Sequence, residues 1–173
     1  MRTYNVSLEI SGPTAMWTRP DTGDTPVSYP VPTYSAVKGI FESILWLQSA
    51  EVIPEKAEVC RPIVYHNYTT NYGGPLRKGK SMDANVPYQL IASVLVNVCY
   101  RLYASVVSDL AGLGTGQGPE AKGCTNGAHA YQELFERRLK RGECHSILCL
   151  GWKEFVPDYV GLFRDGTTVQ TDV

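Results

Sequence analysis

Between Arg61 and Lys80 the chain carries Arg61, Arg77, Lys78 and Lys80 but no Asp or Glu, with Tyr65, His66, Tyr68 and Tyr72 interleaved. Cations hold phosphates and aromatic faces stack on unpaired bases, so this segment suits single-stranded RNA. A solvated hairpin tip with tyrosines packed at its base has the same composition, and both readings stand at this level. A second cationic group, Arg137, Arg138, Lys140 and Arg141, falls at the end of a helical pattern, where cations complement the macrodipole. The glycines of 112–118 are followed by Pro119-Glu120 rather than Gly-Lys-Ser/Thr, which makes a linker of them and not a phosphate loop.

His129 is the candidate for proton transfer. It falls near the third position of a helix capped by Asn126, and imidazole exchanges protons near pH 7. A histidine at such a place also serves purely structural ends. The chain contains no HExxH, no Ser-His-Asp order and no tight carboxylate cluster, so neither a metal ion nor a cofactor is expected. The five cysteines (Cys60, Cys99, Cys124, Cys144, Cys149) form no CxxC pair, which fits free thiols in a reducing, cytoplasmic setting.

Several elements must position these groups. Residues 2–10 alternate as a strand with Val6, Leu8 and Ile10 on one face. The Pro, Gly, Thr and Asp of 14–32 mark a long loop, after which Thr33 caps a helix with the apolar stripe Tyr34, Val37, Phe41, Ile44 and Leu45. Gly39 within it predicts a close packing contact. Strands are expected around Val52-Ile53 and over 59–65, then a polar loop closing near Lys80. Every even position from Tyr88 to Val106 is apolar or aromatic, which predicts a long strand or hairpin. A second helix follows Gly127 with Tyr131, Leu134, Phe135 and Leu139 inward, stopping at Gly142, and 148–155 is read as a returning strand. That order predicts an α+β fold: a ferredoxin-like, RRM-like antiparallel sheet with two helices and an inserted β-hairpin or loop.

At 173 residues and 43% hydrophobic content the chain is sized for one domain, 1–173. Its formal charge of -1 excludes a global basic field, so nucleic-acid contact must rest on local patches. No apolar run reaches transmembrane length, and the N-terminus lacks the apolar core of a signal peptide.

Two stretches resemble a known family. Ser28 to Trp46 reads SYPVPTYSAVKGIFESILW, similar to the SY-x-VPTY-x-A-x-KGI-x-ESI-x-W segment of the type I-C Cas-five subunits of CRISPR surveillance complexes. Gly127-Ala128-His129, then Arg137 to Cys144, then Cys149 to Phe155, resemble that family's G-K-H helix, RR-x-x-x-G-x-C turn and CLG-x-x-EF strand, and Arg61-Pro62-Ile63 matches a further short element.

The resemblance implies a ferredoxin-like fold, with the small C-terminal subdomain of relatives reduced here. It implies binding of the crRNA 5′ handle and assembly with the backbone and large subunits of Cascade, away from any membrane. It further implies metal-independent cleavage of precursor crRNA, with His129 as the catalytic residue. Read from the residues themselves, Lys38, Arg61, Tyr68, Tyr72, Arg77, Lys78 and Lys80 are the expected RNA contacts. The tyrosine or histidine that the family places before the helix tryptophan is Leu45 here, and its lysine before the histidine is Ala128. Tyr131, Lys38, Lys122 or His66 are the candidates to replace them. Two rival readings remain: a non-catalytic cap on the crRNA end, and an unrelated RRM-like RNA-binding module.

Overall fold

Alternation along the even positions from Tyr88 builds the middle of the molecule. In the computed structural model, which describes residues 4–23, 25–72, 88–108 and 126–170, this segment is one 21-residue strand, β4 (Tyr88–Ser108). It is flanked by β1 (Tyr4–Ala15) on one side and by β2 (Ala50–Val59) and β3 (Val64–Tyr72) in tandem on the other. The short β5 (Tyr159–Gly161) adds to the free edge of β1. All pairings are antiparallel in the order β2-β4-β1-β5, with β3 pairing the N-terminal half of β4. Two helices, α1 (Tyr34–Ile44) and α2 (Gly127–Arg141), complete the expected ferredoxin-like α+β arrangement. The inserted element is the hairpin of β3 with the start of β4.

The register divides the sheet into two chemically different faces. Val6, Leu8 and Ile10 stand beside Ala104, Leu102 and Tyr100, and these residues meet Val37, Ile40, Phe41 and Ile44 of α1 and Tyr131, Phe135 and Leu139 of α2 in one buried cluster. Burial of such side chains supplies most of the folding free energy, about 1.5–3 kcal/mol for each large one. On the opposite face Ser7, Glu9 and Ser11 stand beside Tyr103, Arg101 and Cys99. Residues 162–170 lie against that second face: Arg164 reaches Glu9, Phe163 packs on Tyr103, and the Gln170 N–H donates to the Val59 carbonyl.

Several expectations are corrected. Tyr34 is exposed rather than part of the α1 stripe, which Ile40 completes. A Cβ at Gly39 would meet nothing, so no close packing requires that glycine. Residues 60–63 are not strand: here β4 passes from pairing β2 to pairing β3, and Asn97 opposite takes a left-handed conformation (φ 54°). Residues 148–155 form a tight loop in which the Leu150 N–H donates to the Phe155 carbonyl and Trp152 stacks on Phe155. Gly151 makes the loop possible, because a side chain there would collide with the Met16 carbonyl. β1 runs on to Ala15, five residues beyond the expected end. The glycine-rich connection 112–126 lies almost wholly outside the described residues.

Candidate nucleic-acid interface

The first turn of α2 is built from three directions. Asn126 caps it, its Oδ1 accepting from the backbone N–H groups of Ala128 and His129. At the end of β4, Ser108 Oγ donates to that same Oδ1 and accepts from the Ala128 N–H. From the start of β1, Tyr4 brings its phenol oxygen to Asn126 Nδ2 at 3.3 Å and its ring to an edge contact with the His129 imidazole, 5.4 Å between centroids. The segment after α1 closes the third side, where any side chain at Gly127 would strike the Ser49 carbonyl.

In this frame the His129 side chain is 55% exposed, and its Nε2 lies 3.4 Å from Glu133 Oε1 one turn along. An exposed imidazole flanked by a phenol and a carboxylate can exchange protons with a ligand at the helix end. Leu45 and Ala128 are different in kind. Each is only 1% exposed, its side chain in the core. Trp46, beside Leu45, is 56% exposed. Tyr131 is not a substitute acid or base: it is buried, its hydroxyl donates to the Leu45 carbonyl at 2.8 Å, and burial pushes its phenol well above the usual range. That same bond ties the Leu45–Trp46 segment to the first turns of α2.

The expected RNA contacts are dispersed rather than gathered. Lys38 on α1 is paired with Glu51 of β2 at 2.9 Å. Arg61 follows β2 and donates from Nη1 to Asn97 Oδ1 at 2.5 Å. Tyr68 on β3 is half-buried, its ring edge-on to Phe155. His66 is exposed on the same strand. Tyr72 pairs with Tyr88 through its backbone; its side chain, with Arg77, Lys78, Lys80 and Lys122, lies outside the described residues. In the second cationic group, Arg138 donates to the Ile44 carbonyl at the end of α1, a packing role.

Sequence reasoning missed a cluster on the helix-free face. Glu9 is fully buried and accepts from Arg164 Nε at 2.6 Å, the Arg164 N–H at 3.1 Å, Thr167 Oγ1 at 2.9 Å and Arg101 Nε at 3.2 Å. Burial alone would raise its carboxyl, but these bonds prevail and hold it below the ordinary glutamate range. Alternation on β1 placed Glu9 on the polar face, yet nothing local signals that its partners are 92 and 155 residues away. Among the described residues no group of three or more His, Cys, Asp or Glu is arranged to hold a metal ion. No described helix is long and apolar enough to cross a membrane.

The family model described as CRISPR-associated protein (Cas_Cas5), in its Cas5d form, matches residues 6–169. The chain belongs to the Cas5 family. Among curated relatives, it is 27% identical to the CRISPR pre-crRNA endoribonuclease Cas5d of Mannheimia succiniciproducens, over 92% of this chain and 73% of that protein. It is 30% identical to the Cas5d of Thermus thermophilus, over 87% of this chain and 61% of that protein. Among solved structures, one titled as a CRISPR-associated protein superposes with TM-score 0.65 at 19% identity, covering 95% of this chain and 69% of the other. A chain of a CRISPR RNA-guided surveillance complex superposes with TM-score 0.53 at 18% identity, covering 90% and 60%. These two likenesses show a shared fold.

Proposed function

We propose that this chain is the crRNA-handling Cas5 subunit of a cytoplasmic CRISPR surveillance complex, holding the 5′ handle of the guide and cleaving its precursor slowly without a metal ion. The observation that carries the reading is the family match over residues 6–169 together with an exposed His129 at the end of α2. In cleavage the substrate's own 2′-oxygen attacks the adjacent phosphorus. His129 takes the 2′-hydroxyl proton, the bond from phosphorus to the 5′-oxygen breaks, and that oxygen must receive a proton. Tyr4, in ring contact with His129, is the donor this chain offers. The positive end of the α2 macrodipole supplies only part of the charge stabilisation the phosphorane needs, which makes the reaction slow. Trp46 offers an exposed aromatic face for a flanking base. Lys38, Arg61, Tyr68 and Tyr72, with Arg77, Lys78 and Lys80, are the remaining RNA contacts in this reading.

Burial of Leu45 and Ala128 favours a second reading, a non-catalytic cap on the crRNA end. Both readings require preferential binding of the handle. Competition between labelled repeat RNA and an unrelated RNA of equal length tests this: the repeat should win by at least about tenfold, and equal competition would remove the reading. Co-purification with the backbone and large subunits should require the guide RNA or be strengthened by it.

A further inference from the structure

A cleft of about 430 Å³ opens on the helix-free face of the sheet, far from His129 in the fold's layering. Cys60 and Arg61 come to it from the β2–β3 connection, Cys99 from β4, and Arg164, Thr167 and Thr168 from the segment that crosses this face. Among the described residues no carboxylate lines it. Glu9, beneath it, is fully buried and already accepts from Arg164, Thr167 and Arg101. Both lining guanidiniums keep unused donors. Arg164 uses Nε and Nη2 on Glu9, Ser11 and Cys99, and none of the described residues accepts from its Nη1. Arg61 uses only Nη1, on Asn97, and forms no ion pair among the described residues.

The backbone is shaped around these arginines. Asn97 takes a left-handed conformation where β4 passes from β2 to β3, and its side chain holds Arg61. A non-glycine residue in that region is uncommon, and such conformations gather at functional sites. Arg164 is fixed on the other side by Glu9 and by the Tyr159 ring, 4.1 Å below its guanidinium. At the mouth Gly166 faces open space. The sulfur side is chemically quiet, since burial pushes the Cys60 thiol up to about 11. Two fixed guanidiniums and threonine hydroxyls, with no carboxylate among the described lining residues, are the recognition chemistry of a phosphate diester.

We infer that this cleft is a second RNA contact, holding one backbone phosphate between Arg61 and Arg164 on the face opposite α1 and α2. The inference rests on the RNA-handling reading above and extends it: an RNA held at both places passes around an edge of the sheet.

The test measures repeat-RNA affinity against salt for the full chain and for Arg61→Ala and Gly166→Glu. The second variant sets a carboxylate at the mouth without filling occupied space, and both are checked for an unchanged melt. Each is expected to bind about tenfold more weakly, and Arg61→Ala to lower the magnitude of the log-log salt slope by about 0.7, the share of one single-strand phosphate. Repeat RNAs carrying a single uncharged methylphosphonate linkage then locate the contact. At one linkage the neutral RNA should bind the unmodified chain and Arg61→Ala equally. If the unmodified chain binds no repeat RNA, the RNA-handling reading falls and the inference with it. If that chain binds while both variants match it in affinity and slope, the cleft is overturned together with Arg61 as an RNA contact, and the RNA-handling reading stands; if the Arg61→Ala loss is the same at every linkage, only the cleft is overturned. Inorganic phosphate that protects the cleft while RNA does not compete for it would assign the site to free anions and likewise overturn the RNA contact.

Discussion

The start of α2 and the Glu9 cluster are two polar centres among the described residues, and they are built on opposite principles. His129 is exposed, touches one ring and one carboxylate, and packs against nothing that would collapse without it. Glu9 is fully buried and ties β1, β4 and residues 164–167 together through two guanidiniums and a hydroxyl. The first can be changed cheaply and presents chemistry to a ligand. The second is structural at its base and presents cations only at its upper edge. A family motif therefore points to the first, whereas the strongest interactions lie in the second.

The largest expected effect separates them by stability. Glu9→Ala leaves two half-buried guanidiniums without the buried carboxylate that ties them and should destabilise the chain by about 3 kcal/mol in urea unfolding. His129→Ala should stay within about 0.5 kcal/mol of the unmodified chain. Equal losses would erase the distinction.

Next in size is an attempt to restore the family residues. Leu45→Tyr with Ala128→Lys places a larger ring and an ammonium where both native side chains are core. Overpacking alone costs about 1–3 kcal/mol and the buried charge adds to it, so the double variant should melt lower and cleave no faster. Faster cleavage at unchanged stability would show that the two positions can face the ligand.

The pH dependence is smaller and belongs to the Glu9 side. Its folded carboxyl lies below the ordinary value of 4.5. The stability it contributes is therefore fully present above about pH 4.5 and is lost as pH falls through the depressed value. Unfolding free energy followed downward from pH 6 should decline below that point, and Glu9→Gln should flatten the decline. The smallest effect concerns Trp46: Trp46→Ala should weaken repeat-RNA binding by about 1–3 kcal/mol while leaving the melt nearly unchanged, and no weakening would remove it as a stacking face.

How legible each centre was follows from the range of the interactions. Periodicity is a local signal, so the even positions of β4, the Thr33 and Asn126 caps and the Gly142 stop could be read directly. The ferredoxin-like order followed from them. The apolar run 148–155 misled because buried leucines in a tight loop look like a strand when the collision at Gly151 cannot be seen. At the candidate site, His129 was visible from its place after a cap. Tyr4 was not, because its contact spans the whole chain between β1 and α2. Trp46 faces outward only because Leu45, in extended backbone at the end of α1, turns inward. The Arg61 and Arg164 cleft depends on a segment crossing the sheet from the far end of the sequence.

The most direct test is the rate of repeat-RNA cleavage in EDTA by the unmodified chain and by His129→Ala. The account predicts slow cleavage that EDTA does not alter, leaving a 5′-hydroxyl on the downstream fragment, and a fall of about 10²- to 10⁴-fold in the variant with RNA affinity retained. Cleavage that survives His129→Ala, or that EDTA abolishes, would contradict it.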